Sequence, residues 1–315
     1  MIESTTTFQI EDPTAIAIGK FDGVHRGHAE LLANILKAKE QGLKAAIFTF
    51  DMSPEAFFKK IRYKELMTKE EKRAYFQQMG IDYLVEYPFN EESASIDPVK
   101  YVKEFLLHKM NGKFIVAGED LSFGHKGAGD AALLRRLSKE LSFETKIIGK
   151  ICEDGKEISS TYVREEVRKG NMEKVNQLLG KPYSISGVIR SGNRIGRTLG
   201  LPTLNLYPNE EKLLPPNGVY FSTTVMDGRE YQGVTNIGRK PTVGTTQPMS
   251  VETHVFGFDE DAYGKFCEVR LLKFDRPEQK FEDLEHLKKA ILDNVLNGKE
   301  YFRKLSCNCE NRKSV

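Results

Sequence analysis

Along the first 150 residues, short apolar runs alternate with stretches whose apolar positions recur at helical spacing. Residues 15–18, 43–50, 83–87, 114–117 and 145–148 read as strands, and 28–41 carries Leu31, Leu32, Ile35 and Leu36 on one helical face. Residues 68–79 and 98–110 read as further amphipathic helices, and Asp130 as the N-cap of a helix over 131–141. Strands separated by helices predict a parallel sheet. Two short helices follow, 161–169 and 172–179, the second bounded by Asn171 and Gly180. Beyond Gly180-Lys181-Pro182 the period changes to two, over 183–189, 219–226, 231–237, 250–256 and 266–274, with Asp227-Gly228 as a hairpin turn. An antiparallel barrel or sandwich is expected there. A terminal helix from 281 to about 304 would close it with Leu284, Leu287, Ile291 and Val295.

The chain of 315 residues exceeds the usual size of one domain, so the change of period is read as a boundary between domains 1–180 and 181–306, followed by a polar tail, 307–315. The 47 basic and 45 acidic residues are interspersed, which argues against a broad electropositive face for nucleic acid. No apolar run approaches the roughly 20 residues of a membrane helix, and Met1 to Asp12 lacks a leader pattern. A cytoplasmic protein without membrane or nucleic-acid partners is expected; the pattern sets no oligomeric state. Cys152 and Cys267 lie in strand-like segments and are expected as buried thiols, while Cys307 and Cys309 fall in the tail without nearby metal-ligating partners.

Candidate chemistry begins at Gly19-Lys20-Phe21-Asp22-Gly23-Val24-His25-Arg26-Gly27-His28. Placed after the first strand and at the opening of the first helix, this segment presents backbone N–H groups and a helix dipole at the carboxyl edge of a parallel sheet. His25 and His28 can both approach a phosphate chain, as imidazolium or as neutral donors, and Gly27 lets the backbone come close. Two histidines at a helix start are also a common surface feature. Two of only six histidines beside three glycines favour the anion site. The chain has no Gly-x-x-x-x-Gly-Lys-Ser/Thr loop.

A strand, then Gly-x-Phe-Asp-Gly-x-His-x-Gly-His, then a helix resembles the nucleotidylyltransferase superfamily, and this version is similar to prokaryotic FAD synthetases. Gly118-Glu119-Asp120-Leu121-Ser122-Phe123-Gly124 and Ile158-Ser159-Ser160-Thr161-Tyr162-Val163-Arg164 resemble that family's later motifs, in order. The resemblance implies a Rossmann-like α/β domain, a parallel sheet with flanking helices. It also implies that ATP is bound by Gly19, Phe21, Asp22, Gly23, His25, Gly27 and His28, with Asp120, Ser160, Thr161 and Arg164 nearby. His25, His28 and Arg164 would act on the phosphates. A guanidinium near a helix start suits a pyrophosphate gaining charge as it leaves. One departure stands out: the family's Phe-Asp-Pro-His-Pro is here Phe50-Asp51-Met52-Ser53-Pro54, without the histidine.

In the second half, Gly192 to Asn205 carries glycines every fourth residue, which alone describes a flexible basic loop as readily as a phosphate clasp. Thr203 and Asn205, two apart in an extended segment, would present oxygens to one side, but neutral oxygens need ATP phosphates to complete a Mg2+ shell. The segment resembles the riboflavin kinase motif Gly-x-Pro-Thr-x-Asn. The resemblance continues through Asn217-Gly218-Val219-Tyr220, Gly233 to Gly238, Pro241-Thr242 and Val251-Glu252-Thr253-His254. It implies an antiparallel β-barrel with a C-terminal helix. It further implies ATP phosphate contacts from Gly192, Gly196, Arg197, Thr198, Gly200, Pro202 and Thr203, Mg2+ held with Thr203 and Asn205, and Glu252 as base. His254 is read as structural. Without the surrounding motifs, a glutamate between Val251 and Thr253 could equally face solvent.

Together the two halves resemble prokaryotic bifunctional riboflavin kinases/FAD synthetases. The substrates and products implied are riboflavin, ATP, FMN and FAD. Three alternatives stay open: a kinase with a degenerate first domain, because Ser53 replaces the histidine; a non-catalytic flavin-binding or sensing protein; and a nucleotidyl transferase with another acceptor.

Overall fold

The computed structural model describes residues 8–192, 201–239 and 248–311. Their contacts divide into two compact units, Met1–Val163 and Arg164–Val315, the division falling within one helix, Ser160–Lys169.

The first unit is built on β1 (Thr14–Ile18), β2 (Lys44–Phe50), β3 (Tyr83–Tyr87), β4 (Gly112–Gly118) and β5 (Glu144–Ile148). The order is β3-β2-β1-β4-β5, and all pairings are parallel. Every residue of β1 is buried, as expected for the central strand of a sheet covered on both faces. Ala15 and Ala17 pack in one core with Leu31, Leu32 and Phe76, while Ile16 and Ile18 pack in the other with Tyr101, Leu106 and Leu134.

The helices largely follow their sequence signals. α1 (Arg26–Lys37) begins two residues earlier than its apolar stripe suggested, which makes His25 its N-cap and puts His28 in its first turn. α2 (Pro54–Lys59) was not foreseen, and none of its residues is buried. α3 (Lys69–Gln78) opens with a reciprocal capping box between Thr68 and Glu71. The segment 98–110 is not one α-helix. After a single turn, Pro98–Lys100, it becomes a π-helix, α4 (Tyr101–Lys109), which buries Tyr101, Val102, Phe105 and Leu106. Asp130 caps α5 (Ala131–Glu140) by accepting from the Leu133 amide at 2.7 Å.

The helix that spans the division is α6 (Ser160–Lys169), and α7 (Met172–Leu179) belongs wholly to the second unit. There Asn176 Nδ2 donates to the Leu271 carbonyl at 2.9 Å. The second unit is a six-stranded antiparallel sheet of β6 (Tyr183–Val188), β7 (Leu204–Leu206), β8 (Gly218–Met226), β9 (Arg229–Arg239), β10 (Met249–Val255) and β11 (Phe266–Pro277). The order is β6-β11-β8-β9-β10-β7. A bridge between Arg190 and Asn205 brings the two edges together, the Arg190 amide donating to the Asn205 carbonyl at 2.9 Å. The hydroxyls of Ser222, Thr235 and Thr253 form a buried row across β8, β9 and β10, at 2.7 and 2.8 Å. α8 (Leu284–Asn311) packs Val295 against Val219, Phe221 and Val234.

Two expectations are corrected. α8 continues through Asn311, so exposed Cys307 lies on a helix and not in a tail. Cys152 is exposed, because its segment pairs only as a two-residue ribbon with Lys156–Glu157. Cys267 is buried as expected, and burial pushes its thiol up to about 12. No helix among the described residues is long and apolar enough to cross a membrane.

Candidate functional site

In the first unit the chain runs from β1 outward to β2 and β3, then returns to place β4 on the other side of β1. The carboxyl ends of β1 and β4 therefore flank a topological switch point, where open α/β sheets bind ligands. Gly19 to His28 leaves β1 there, and Asp120 leaves β4 there.

The loop is tightly built. Phe21 and Val24 adopt positive φ of 50° and 46°, and both are buried; such strain in non-glycine residues persists only where the surroundings enforce it. The Phe21 ring packs 5.0 Å from His28 and edge-on to Phe76 at 5.7 Å. Asp22 Oδ1 accepts from the amides of Leu66 and Met67, at 2.8 and 3.2 Å, and its backbone carbonyl accepts from Ser160 Oγ at 2.8 Å. Asp22 and Ser160 thus tie the loop to the start of α3 and to the start of α6.

His25 and His28 stack with ring centroids 3.9 Å apart and planes 25° from parallel. Gly27 eases this arrangement, since a Cβ there would press on the His25 ring at 3.1 Å from Cε1. Burial lowers the His25 pKa to about 4, against the opposing pull of Asp120 and Glu157. Burial also takes His28 well below its ordinary value, with His25 and Lys72 adding to the effect. Both rings are therefore neutral at pH 7 and act as hydrogen-bonding groups, not as cations. Neither Nδ1 has a hydrogen-bond partner among the described residues, an arrangement that suits an oxyanion ligand. α1 has no acidic residue in its first turn to compete for its N-terminus.

Of the other expected residues here, Gly19 and Gly23 lie in the same loop, Thr161 is exposed on α6, and Arg164 follows Ser160 by one turn on that helix. At the segment that departs from the family pattern, Asp51 Oδ1 accepts from the Phe89 amide at 2.9 Å and Ser53 Oγ accepts from the Ala56 amide at 3.1 Å. Met52 is exposed, and so is Phe58, at 67%. Phe50, Phe57 and Phe58 converge on Phe89, with centroids 5.0 to 5.9 Å from it. This aromatic shelf at the carboxyl ends of β2 and β3 was missed in the sequence. Its signal was Phe57-Phe58 after a capping serine.

In the second unit β10 lies between β7 and β9. Glu252 is in register with Asn205 on one side and Asn236 on the other, and directly opposed residues of antiparallel strands share a face. Asn205 Nδ2 donates to the Thr203 carbonyl at 3.1 Å and reaches Thr203 Oγ1 at 3.5 Å. His254 Nδ1 donates to the Pro202 carbonyl at 2.9 Å, which fixes the residue before Thr203 and supports the structural reading of this histidine. A Cβ at Gly192 would run into the Asn205 amide, so glycine allows the close approach. Thr203 and Asn205 form a set of hard, neutral oxygen donors of the kind Mg2+ accepts when phosphates complete its shell. Among the described residues no group of three or more His, Cys, Asp or Glu forms a metal cage.

Gly192, Thr203 and Asn205 line a cavity of about 140 Å³ together with Asp259, Asp261 and Tyr263. The acidic segment was also missed; its signal was the acidic run 259–261 before Gly264, between two predicted strands. Gly196, Arg197, Thr198 and Gly200 lie outside the described residues, as does Pro241-Thr242.

Comparison with known proteins finds a family match in each half of the chain. A model of the FAD synthetase family matches residues 7–162, and one of the riboflavin kinase family matches residues 179–302. Curated relatives described as bifunctional riboflavin kinase/FMN adenylyltransferase include one from Bacillus subtilis, 33% identical and covering 93% of each chain. Another, from Buchnera aphidicola, is 35% identical over 93% of this chain and 96% of its own. A third, from Escherichia coli K12, is 32% identical over 93% and 94%. A solved structure from Streptococcus pneumoniae, described as a macrolide-efflux protein, superposes with a TM-score of 0.80 at 27% identity and covers 94% of this chain and 99% of its own. The order of motifs, the two folds and relatives matched almost end to end lead to one conclusion: this chain belongs to the bifunctional riboflavin kinase/FMN adenylyltransferase family.

Proposed function

We propose that the chain converts riboflavin to FMN with ATP in its 181–306 domain, and FMN to FAD with a second ATP in its 1–180 domain, in the cytoplasm. The observation that carries this reading is the neutral His25–His28 stack at the β1–β4 switch point, in a chain whose other unit aligns Glu252 with Asn205.

For the kinase step, Glu252 takes the proton of the terminal ribityl hydroxyl as that oxygen bonds to the γ-phosphorus and ADP leaves. Thr203 and Asn205 would hold Mg2+ together with the phosphates, and the cavity that they line would receive the nucleotide. The bound cation supplies charge neutralisation on the transferring phosphoryl group. Gly192, Gly196, Arg197, Thr198, Gly200 and Pro202 contribute to the phosphate clasp.

For the adenylyl step, a phosphate oxygen of FMN bonds to the α-phosphorus of ATP, and the bond to the bridging oxygen breaks to release pyrophosphate. His25, His28 and the backbone from Gly19 to Gly27 hold the phosphates, with Arg164 and Thr161 assigned to the leaving pyrophosphate. The aromatic shelf at Phe58 and Phe89 offers an apolar face to the flavin ring.

A kinase-only reading is favoured by one observation: Ser53 caps α2 in place of the family's histidine. Chromatography of products from riboflavin, ATP and Mg2+ separates the two readings. FMN followed by FAD is expected. FMN without any FAD, even when FMN is supplied, leaves the kinase-only reading standing.

A further inference from the structure

We propose that Lys72 is a phosphate ligand of the adenylyl-transfer centre, a cation in addition to Arg164. This rests on the adenylyltransferase reading above.

Lys72 is only 6% exposed, yet among the described residues its side chain has no ion pair, hydrogen bond or ring contact. Lysine is seldom this buried without a partner; Lys72 Nζ is not among the fully buried unpartnered atoms, so the stem is packed while the ammonium keeps an opening through which a ligand can reach it. The fold places it deliberately. The buried residues of α3 are Lys72 and Phe76, one turn apart on one face. Phe76 meets the Phe21 ring, and Phe21 meets His28. The Cα–Cβ bond of a helical residue tilts toward the N-terminus of its helix, and that end of α3 is tied to the phosphate loop by Asp22, which accepts from the Leu66 and Met67 amides at 2.8 and 3.2 Å. The Asp22 carboxylate, the Thr68–Glu71 capping box and the Phe76–Phe21 contact together fix this lysine beside the loop that carries His25 and His28. Its charge is felt there, since it helps to depress the His28 pKa.

Charge balance supplies the reason. The two imidazoles are neutral in the ligand-free protein, and the nearby Asp120 and Glu157 add negative potential at His25. Arg26, the cation next to His25, is paired with Glu153 at 2.5 Å. A triphosphate entering this loop needs a positive partner, and Lys72 is a buried cation without a partner of its own.

The test uses the full chain and the variants Lys72→Met, Lys72→Arg and Lys72→Gln. Expected for Lys72→Met are a KM for ATP in FAD synthesis and a dissociation constant for inorganic pyrophosphate, read by calorimetry, each raised roughly tenfold or more. KM for FMN and the riboflavin kinase activity of the same preparation should stay at wild-type values, and Lys72→Arg should recover most of the pyrophosphate affinity. Wild-type affinity for ATP and pyrophosphate in Lys72→Met would overturn the proposal. So would equal weakening of ATP and FMN that Lys72→Arg fails to rescue, the mark of a packing role. If Lys72→Met does not fold, Lys72→Gln is read by the same criteria. Wild-type protein that makes no FAD would instead sink the adenylyltransferase reading, and pyrophosphate binding would still decide the role of Lys72.

Discussion

His25 shows how burial turns a titratable side chain into a neutral donor. An unfolded chain protonates this imidazole near 6.5, whereas the folded protein does so only at about 4. Between those values the unfolded state binds the extra proton, so stability falls as pH falls from 6.5 and levels off below about 4. The full effect is on the order of 3 kcal/mol. Amide exchange in β1 and α1 should report it: protection in wild type should decline over this window more steeply than in His25→Gln. Equal slopes would mean that the folded protein protonates His25 near its ordinary pKa. The residue types were legible in the sequence; their protonation state was not, because it follows from burial in the folded protein.

α2 illustrates an element held by its cap and not by a core. It buries no residue, and Ser53 Oγ bonds the Ala56 amide. Ser53→Ala should remove about 1 kcal/mol from this helix. Because α2 buries no residue and meets the sheet end through the Phe57 and Phe58 rings on Phe89, the loss should appear as faster exchange of amides 54–61 with little change in the global midpoint. A large drop in that midpoint would show that α2 is integral to the core. The serine that stands in place of the family's histidine thus has a structural task of its own. α4 makes the complementary point: its apolar residues predicted a helix and are buried in the core, but their spacing of four did not announce the π-helical hydrogen bonding.

At the level of the whole molecule, the two units have separate cores, with the His25–His28 pair in the first and Glu252 in the second. Each should therefore be removable alone. Glu252→Ala should abolish FMN formation from riboflavin and leave FAD formation from supplied FMN within about twofold. His28→Ala should reduce the second reaction roughly a hundredfold or more and spare the first. The measurement is the rate of each product from its own substrate. Coupled losses in both variants would refute independent centres.

The sequence by itself determined the parallel and antiparallel halves, most strand and helix positions, and the motif residues. These depend on local period, caps and turn chemistry, which short stretches carry in full: Asp130 and Asn171 cap as read, and Asp227-Gly228 turns the hairpin. What only the tertiary structure decided depends on residues distant in the chain. The place of β4 beside β1 brought Asp120 to the histidines. The pairing of β7 with β10 set Asn205 against Glu252. The docking of α3 through Asp22 and Phe21 turned Lys72, on the chain an ordinary lysine in a charged helix, into a buried cation at the centre. Neither register nor burial is a property of a local segment, so no pattern along the chain could have announced them.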